Sequence, residues 1–322
     1  MRVAVIVAVY NEEKNISQLI EALLQQSRSP DEIIVVDDGS TDKTIEILEK
    51  IAASNNKLKF YRQTNAGPAA ARNKGFRGAE ADICIFTDSD CVPEPDWIEK
   101  LVIPFKDKQV GAAGGTYKTL NNNSVLARFV GLEIAWRYRK IEGEIDVHGT
   151  YNLAVRKSVL QEVGGFNQEY PEPSGEDWDL TYKISQKHKI IYVPNAVVGH
   201  YHPEKILAYL KNQERRAFDR IKVYKDHPDK RRADTYTGPI IKYQILGSAA
   251  FLPSLLFLFP WFSFSYLIPL AILGFLFLTT LPVFFYTADK DLGVSLESIP
   301  LQLLRNFAWL VGMIKGLIKF GI

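Results

Sequence analysis

A run of 46 residues without a single Asp, Glu, Lys or Arg restricts the fold of this chain more than any other feature. It extends from Tyr243 to Ala288. A single helix of that length would measure about 69 Å at 1.5 Å per residue, more than twice the hydrocarbon core of a bilayer. The run therefore predicts two membrane helices joined by a tight turn.

We expect these spans at about 243–262 and 265–287, with the turn near 260–263. Trp261 and Tyr266 would then act as aromatic anchors at the membrane interface. The alternative is a buried hairpin of a soluble protein. It is disfavoured because soluble helices of this length normally carry a polar face.

Positive charge precedes the first span. Between Lys205 and Arg232 the chain has ten Lys or Arg and four Asp or Glu. This pattern predicts an interfacial helix at about 204–226 and favours the cytoplasmic side for the residues before it. The predicted location is the cell membrane, crossed more than once, with residues 1–225 in the cytoplasm and residues 226–322 as the membrane domain.

The last predicted helix, at about 299–320, leaves two alternatives open. Arg305, Lys315 and Lys319 interrupt an otherwise apolar pattern there. Such a pattern is typical of an amphipathic helix lying in the membrane interface. The segment is also long enough to be a third span.

Composition excludes several other classes. The chain has 39 Lys or Arg against 37 Asp or Glu, a net charge of +2. This balance is unlike that of a dedicated nucleic-acid-binding protein, so we expect no nucleic-acid partner. Its two cysteines, Cys84 and Cys91, are too few for a disulfide scaffold or a cysteine-rich zinc module.

Residues 1–225 alternate between two hydrophobic periods. Apolar runs of strand length alternate with segments of helical spacing, which predicts a mostly parallel α/β sheet with helices on both faces. Such sheets bind ligands at the carboxyl ends of their strands. The predicted strands are 3–9, 32–38, 59–63 and 82–88, and the predicted helices are 13–26, 44–51 and 69–78.

Polar segments follow these strands at 9–13, 37–42, 65–73 and 87–91. Each one alone could be a turn or a helix cap. Carboxylates gathered at adjacent strand ends repel each other unless a cation or a hydrogen-bond donor lies between them. The four segments together therefore indicate a ligand site.

These segments resemble the motifs of family 2 glycosyltransferases over about residues 1–200. The resemblance implies the GT-A fold and the transfer of a sugar from a nucleotide-sugar donor with inversion at the anomeric carbon. Many members have Pro where this chain has Ala8, which is a minor departure. The motifs are VAVYNEE (7–13), VVDDGSTD (35–42), NAGPAAARNKG (65–75), TDSDC (87–91) and GEDWDL (175–180).

Roles in donor binding follow from this resemblance. Tyr10 can pack on a flat nucleobase, Asp37 or Asp38 can accept its ring N–H groups, and Glu12 can share that pocket or reach the ribose. Arg72 can meet the diphosphate through a charge-assisted hydrogen bond. The donor-binding residues that we expect are Val9, Tyr10, Glu12, Asp37, Asp38, Asn65, Arg72, Asp88 and Ser89.

The resemblance also implies a metal site and a general base. Asp88 and Asp90 are two residues apart at a strand end, so both can face the same Mg²⁺ or Mn²⁺ ion. His200 is the expected third ligand, although His202 or a purely structural histidine remains an alternative. Asp177 is the expected base, oriented by Glu176. The alternative for these two acids is a helix N-terminus that favours negative charge.

The predicted function is a membrane-anchored hexosyltransferase with a lipid-linked saccharide or glycolipid as acceptor. The anchor, rather than any acceptor residue, suggests this acceptor. The alternatives are a polyprenyl- or dolichyl-phosphate sugar synthase and, from another class, a non-catalytic nucleotide-binding assembly subunit. A processive polymer synthase is disfavoured because Ala217 replaces the Trp of the Gln-x-x-Arg-Trp motif that Gln213 begins.

Overall fold

Strands and helices alternate along the first hundred residues of the computed structural model, which describes residues 1–170, 172–231, 234–258 and 266–321. The strands are β1 Val3–Val9, β2 Glu32–Asp37, β3 Leu58–Arg62, β4 Ile83–Asp88, β5 Cys91–Pro93, β6 Val110–Thr119, β7 Glu144–Ile145, β8 Asn152–Arg156 and β9 Lys189–His200. The helices are α1 Ile16–Leu24, α2 Thr44–Ala52, α3 Pro68–Gly78, α4 Trp97–Val102, α5 Val125–Tyr138, α6 Lys157–Glu162, α7 Glu176–Ser185, α8 Ile206–Asp226, α9 Pro239–Ser254, α10 Leu267–Ala288 and α11 Leu292–Phe320.

These elements are divided between two compact units. The first unit contains Met1–Leu120 and Ile141–Tyr201, and the second contains Asn121–Lys140 and His202–Ile322. All the described strands and the helices α1–α4, α6 and α7 belong to the first unit. The division of the chain into a catalytic domain at 1–225 and a membrane domain at 226–322 stays a prediction.

In the described residues of the first unit, one sheet has the strand order β3-β2-β1-β4-β8-β6-β9-β5, and β7 also pairs with β9. Strand β2 pairs in parallel with β3 and β1, and β1 pairs in parallel with β4. Strands β6 and β9 also form a parallel pair. Strand β8 is antiparallel to both of its neighbours. The predicted α/β class with a mostly parallel sheet is therefore confirmed, and the antiparallel insertion gives a mixed sheet.

Strand β4 shows why helices cover both faces of this sheet. Ile83 and Ile85 belong to a core cluster with Leu19 and Leu101 of α1 and α4. Phe86 alternates with them and meets Phe166, with ring centroids 5.1 Å apart. Because successive side chains of a strand point to opposite faces, a strand that is apolar throughout has to be covered on both sides.

The second unit contains the apolar helices. Three described segments are long and apolar enough to cross a membrane, namely Pro239–Leu258, Leu267–Ala288 and Leu292–Phe320. Helix α10 exposes large side chains such as Phe277 and Phe285, and Tyr266 before it is also exposed. The predicted turn at 260–263 and the predicted anchor Trp261 lie outside the described residues.

Helices α8 and α11 pack closely in this unit. The Trp309 indole Nε1 donates a hydrogen bond to Gln213 Oε1 at 3.0 Å. A Cβ atom added to Gly312 would lie 3.0 Å from Ala217 Cβ, and one added to Gly316 would lie 2.8 Å from the Phe218 carbonyl oxygen. The small residue at position 217 therefore makes room for α11, and an indole at that position would collide with it.

A buried ion pair also ties α11 to α5. Arg305 is only 1% exposed and pairs with Glu133, while its Nη2 donates to Gln244 Oε1 at 3.0 Å. Glu133 also accepts from Arg137 Nη2 at 2.6 Å. The sequence pattern around Arg305 suggests that this residue lies on a polar outer face of its helix. The side chain instead lies inside the helical unit, because Glu133 and Gln244 accept its hydrogen bonds there.

Candidate active site

The loops after β1 and β2 are joined by the side chain of Asn11. Its Oδ1 accepts a hydrogen bond from the Thr41 backbone N–H at 2.8 Å, and its own N–H donates to Ser40 Oγ at 2.9 Å. Asn11 has a φ of +55°, a left-handed conformation that asparagine tolerates better than most residues. The polar ends of two parallel strands are thereby held side by side.

Asp37 and Asp38 support the same loops from inside. Asp38 accepts the backbone N–H groups of Ala66 at 2.8 Å and of Gly67 at 2.9 Å, one on each carboxylate oxygen. Asp37 is fully buried and accepts the Ser40 N–H at 3.2 Å. Asp38 thus shapes the segment that contains Asn65, and Asp37 shapes the turn at Ser40. A contact with a nucleobase stays a prediction for both.

Arg72 lies between two acidic side chains. Its Nη2 donates to Asp88 Oδ1 at 2.9 Å, and its Nη1 donates to Glu176 Oε1 at 2.8 Å. The guanidinium is buried and also lies over the Phe166 ring, 5.7 Å from its centroid. Arg72 therefore connects the end of β4 with the start of α7, two segments that are far apart in the sequence.

Glu12 lies close to the Asp88-Ser89-Asp90 segment. Its Oε2 accepts from Asn15 Nδ2 at 2.9 Å. Burial raises the pKa of Glu12, the Asp90 carboxylate raises it further, and hydrogen bonds from Asn15 and Ser89 offset part of this rise. The turn after β1 and the end of β4 therefore contribute to one acidic site.

Strand pairing brings His200 to Asp90. Cys91 of β5 is directly opposite His200 of β9 in the antiparallel register. His200 Nε2 lies 3.6 Å from Asp90 Oδ1. Ligand atoms of Asp90, Cys91 and His200 all lie within 4.8 Å of one another. His202 instead donates its backbone N–H to Asn121 Oδ1 at 3.0 Å.

The chemistry of this group fits a divalent cation. Burial raises the pKa of Asp90, the His200 ring lowers it in part, and the Asp88 carboxylate raises it again. A cation would offset both the desolvation and the repulsion between the carboxylates. Carboxylate oxygen and imidazole nitrogen are ligands that Mn²⁺ accepts, so Asp90 and His200 can hold such an ion, with Asp88 close by.

Glu176 and Asp177 begin α7, after Gly175 with a φ of +99°. Glu176 is buried, and its Oε2 has no hydrogen-bond partner among the described residues. Burial raises the pKa of Glu176 to about 7, the Asp177 carboxylate adds to the rise, and Arg72 opposes it. Asp177 is half-buried, so it is the more accessible of the two acids.

This pKa predicts a pH dependence of stability. Glu176 binds a proton more tightly in the folded chain, because its pKa rises from 4.5 to about 7 on folding. Its contribution therefore favours the folded state at low pH and is lost as the pH rises through about 7. We expect the melting temperature of Glu176→Gln to vary less between pH 5 and pH 8 than that of the wild type, as measured by thermal unfolding. Parallel profiles of the two proteins would contradict this expectation.

Most of the predicted site residues converge in the first unit. Contacts or electrostatic interactions link Glu12, Arg72, Asp88, Ser89, Asp90, Glu176, Asp177 and His200. Val9, Asp37, Asp38 and Asn65 belong to the strand-end loops, and Tyr10 is 50% exposed beside them. Sequence reasoning missed Cys91, whose only signal was its position next to Asp90.

Comparison with known proteins identifies the family. The family model described as glycosyl transferase family 2 matches residues 4–164, half of the chain. Glycosyltransferase AglE of Haloferax volcanii is 30% identical over 198 residues, which cover 59% of this chain and 65% of that protein. Probable glycosyltransferase YdaM of Bacillus subtilis is 28% identical over 222 residues, which cover 63% of this chain and 51% of that protein.

The chain thus spans between half and two thirds of the length of these curated relatives. A solved structure with a similar fold is the mannosyltransferase PcManGT from Pyrobaculum calidifontis in complex with GDP-Man and Mn²⁺. It has a TM-score of 0.64 and 20% identity, and the match covers 99% of this chain and 87% of that one. Together with this GT-A fold, the family match shows that the chain belongs to glycosyl transferase family 2.

Proposed function

We propose that this glycosyltransferase is metal-dependent and inverting, and that it transfers a sugar from a nucleotide-sugar donor to a lipid-linked saccharide or glycolipid at the cytoplasmic face of a membrane. The observation that carries the proposal is the convergence of polar side chains from separate segments. Arg72 donates hydrogen bonds to Asp88 and Glu176. Asp90 interacts with both Asp88 and His200. Glu176 is buried and Asp88 and Asp90 are half-buried, and acids gathered in this way suit a cation and an anionic ligand.

On the donor side, we assign Mn²⁺ or Mg²⁺ to Asp90 and His200, with Asp88 beside them. When bound, such an ion neutralises charge on the diphosphate and so helps the nucleotide to leave. The half-exposed Tyr10 ring offers a flat surface for the nucleobase. The Mn²⁺ and GDP-Man bound to the similarly folded mannosyltransferase support this assignment.

On the acceptor side, we assign Asp177 as the general base. A hydroxyl of the acceptor attacks the anomeric carbon from the face opposite the leaving group, the bond from that carbon to the phosphate oxygen breaks, and the hydroxyl proton passes to Asp177. Glu176 is held by Arg72 and fixes the start of the helix that carries the base. The configuration at the anomeric carbon is thereby inverted.

For the membrane, we propose that α9 and α10 enter the bilayer and that α11 lies at its surface. Helix α11 contacts α8 along Gly312 and Gly316. Helix α8 exposes Lys211, Arg216 and Lys225, charges that a hydrocarbon core accommodates only at high cost. A helix packed this closely on α8 is better placed in the membrane interface. Of the two alternatives for this segment, we therefore favour the amphipathic interfacial helix over a third span.

A nucleotide-binding measurement tests the donor and metal assignment. We expect UDP or GDP with Mn²⁺ to raise the melting temperature of the purified chain in detergent, because a ligand at 100 times its Kd stabilises the folded state by about 2.7 kcal/mol. In Asp90→Asn, the part of this shift that requires Mn²⁺ should disappear.

The matched control is Asp96→Asn, the same change at an exposed carboxylate paired with Lys100. It should retain the full shift. A wild-type protein that no nucleoside diphosphate stabilises in the presence of Mn²⁺ would remove the basis of the proposal.

A further inference from the structure

A row of four aromatic rings lies in the first unit, and the donor motifs do not account for it. The Tyr117 and Tyr151 rings are 4.3 Å apart, centroid to centroid, and inclined by 56°. Tyr117 also lies 5.4 Å from the His200 ring, and Tyr151 lies 5.3 Å from the His148 ring. The four residues come from three separate segments of the chain, one of which contains both His148 and Tyr151. Tyr117 and Tyr151 are half-buried, so both remain accessible in part.

The two tyrosines connect the two halves of the active site. At one end, Tyr117 contacts His200, whose Nε2 is 3.6 Å from Asp90. At the other end, a Cβ atom added to Gly149 would lie 2.8 Å from carbons of the Tyr151 ring and 3.3 Å from Asp177 Oδ2. The Tyr151 ring and the Asp177 carboxylate therefore both border Gly149.

This position has a chemical meaning in the proposed reaction. The donor's sugar ring has to lie between the diphosphate, which is held at the cation, and the acceptor hydroxyl, which is held at the base. The tyrosine pair connects those two points. Pyranose rings present apolar C–H faces, and aromatic side chains bind such faces.

We propose that Tyr117 and Tyr151 form the surface on which the pyranose ring of the nucleotide-sugar donor stacks. The inference rests on the proposed function and adds a sugar-recognition site to it. The two tyrosines are residues that bind the donor sugar, and the shape of the pair contributes to the choice of sugar.

Buried side chains hold both tyrosines in place. Asn152 Nδ2 donates to the Thr116 carbonyl at 2.7 Å and to the Ala196 carbonyl at 2.9 Å, which fixes the neighbours of Tyr151 and Tyr117 to each other. The His148 ring lies 2.8 Å from the Gly115 carbonyl oxygen and 2.9 Å from that of Gly149. A surface preorganised in this way loses little conformational freedom when a sugar binds.

Binding of matched ligands tests the proposal. Isothermal titration calorimetry of the full chain, in a sugar-free detergent with Mn²⁺, would compare UDP with UDP-glucose and GDP with GDP-mannose. For the pair that the wild type binds, Tyr117→Leu and Tyr151→Leu should each weaken binding of the nucleotide-sugar by about 3- to 10-fold, as expected for loss of one stacked ring. They should leave the affinity for the nucleoside diphosphate unchanged.

Three further variants serve as controls. Tyr117→Phe and Tyr151→Phe keep the ring and should restore most of the affinity for the nucleotide-sugar. Tyr61→Leu makes the same change on β3, an edge strand of the sheet, and should have no effect. Melting temperatures without ligand would show that each variant is folded.

The outcomes separate the possible sources of the sugar. If the leucine variants weaken binding of octyl glucoside or octyl mannoside to the nucleotide-bound protein but not binding of the nucleotide-sugar, the surface receives the acceptor's sugar and the donor assignment is wrong. The donor assignment would also be overturned if the leucine variants left all affinities unchanged, or if they weakened binding of the nucleoside diphosphate and of its sugar conjugate equally. A wild-type protein that binds neither member of any pair would instead refute the proposed function.

Discussion

Replacing Asp177 with Asn should lower kcat by about 10²- to 10⁴-fold, the range typical of a lost general base. Asparagine keeps the shape of the side chain but cannot take the proton from the acceptor hydroxyl. The binding of the donor and its cation should persist, because Asp90 and His200 are unchanged. The measurement combines release of nucleoside diphosphate during turnover with the thermal shift caused by nucleotide and Mn²⁺.

The matched control is Asp179→Asn, two residues further along the same helix. Asp179 pairs with Lys183 at 2.6 Å, and residues two apart on a helix point about 200° away from each other. This variant should keep most of the activity. If Asp177→Asn retained the wild-type rate, the base would have to be another group, and the non-catalytic alternative would also have to be reconsidered.

The second large effect concerns stability. Arg72→Met should destabilise the folded chain by about 3–5 kcal/mol, the usual cost of leaving a buried charge without its partner. Arg72 is the hydrogen-bond partner of both Asp88 and Glu176. Thermal or chemical unfolding of the purified variants would measure the loss.

Two additional variants make this prediction specific. Arg77→Met makes the same substitution at an exposed position of α3 and should cost far less. Glu176→Gln in the Arg72→Met background should recover part of the stability, because it removes one of the two carboxylates that lost their partner. Equal stability of Arg72→Met and Arg77→Met would show that the buried contacts of Arg72 contribute little.

The sheet could be predicted from the sequence because its central strands are buried on both faces. Val3–Val9 and Glu32–Asp37 are buried along almost their whole length, and continuous burial requires an apolar run bounded by polar residues. The polar ends of those strands could also be assigned to one edge, because the strands are parallel. What the pattern could not give was the antiparallel insertion of β8 between β4 and β6, which depends on long-range pairing.

The site was predictable as a set of residues but not as a set of contacts. Asp88, Asp90 and Glu176 could be named from their motifs, whereas the position of Arg72 between Asp88 and Glu176 could not. Nor does local sequence indicate that Cys91 faces His200, since this follows from the register of β5 and β9. Arg305 illustrates the same limit, because its burial depends on Glu133, which lies on a helix 172 positions earlier in the chain.

The close packing of α8 on α11 has a practical consequence. Shortening an anchored enzyme to its water-soluble portion usually means cutting the chain just before the first apolar helix. Here such a cut, after residue 226, would retain α8 but remove the helix that covers Ala217 and Ile221. The shortened protein would carry a bare apolar stripe on α8, and self-association through that stripe would follow.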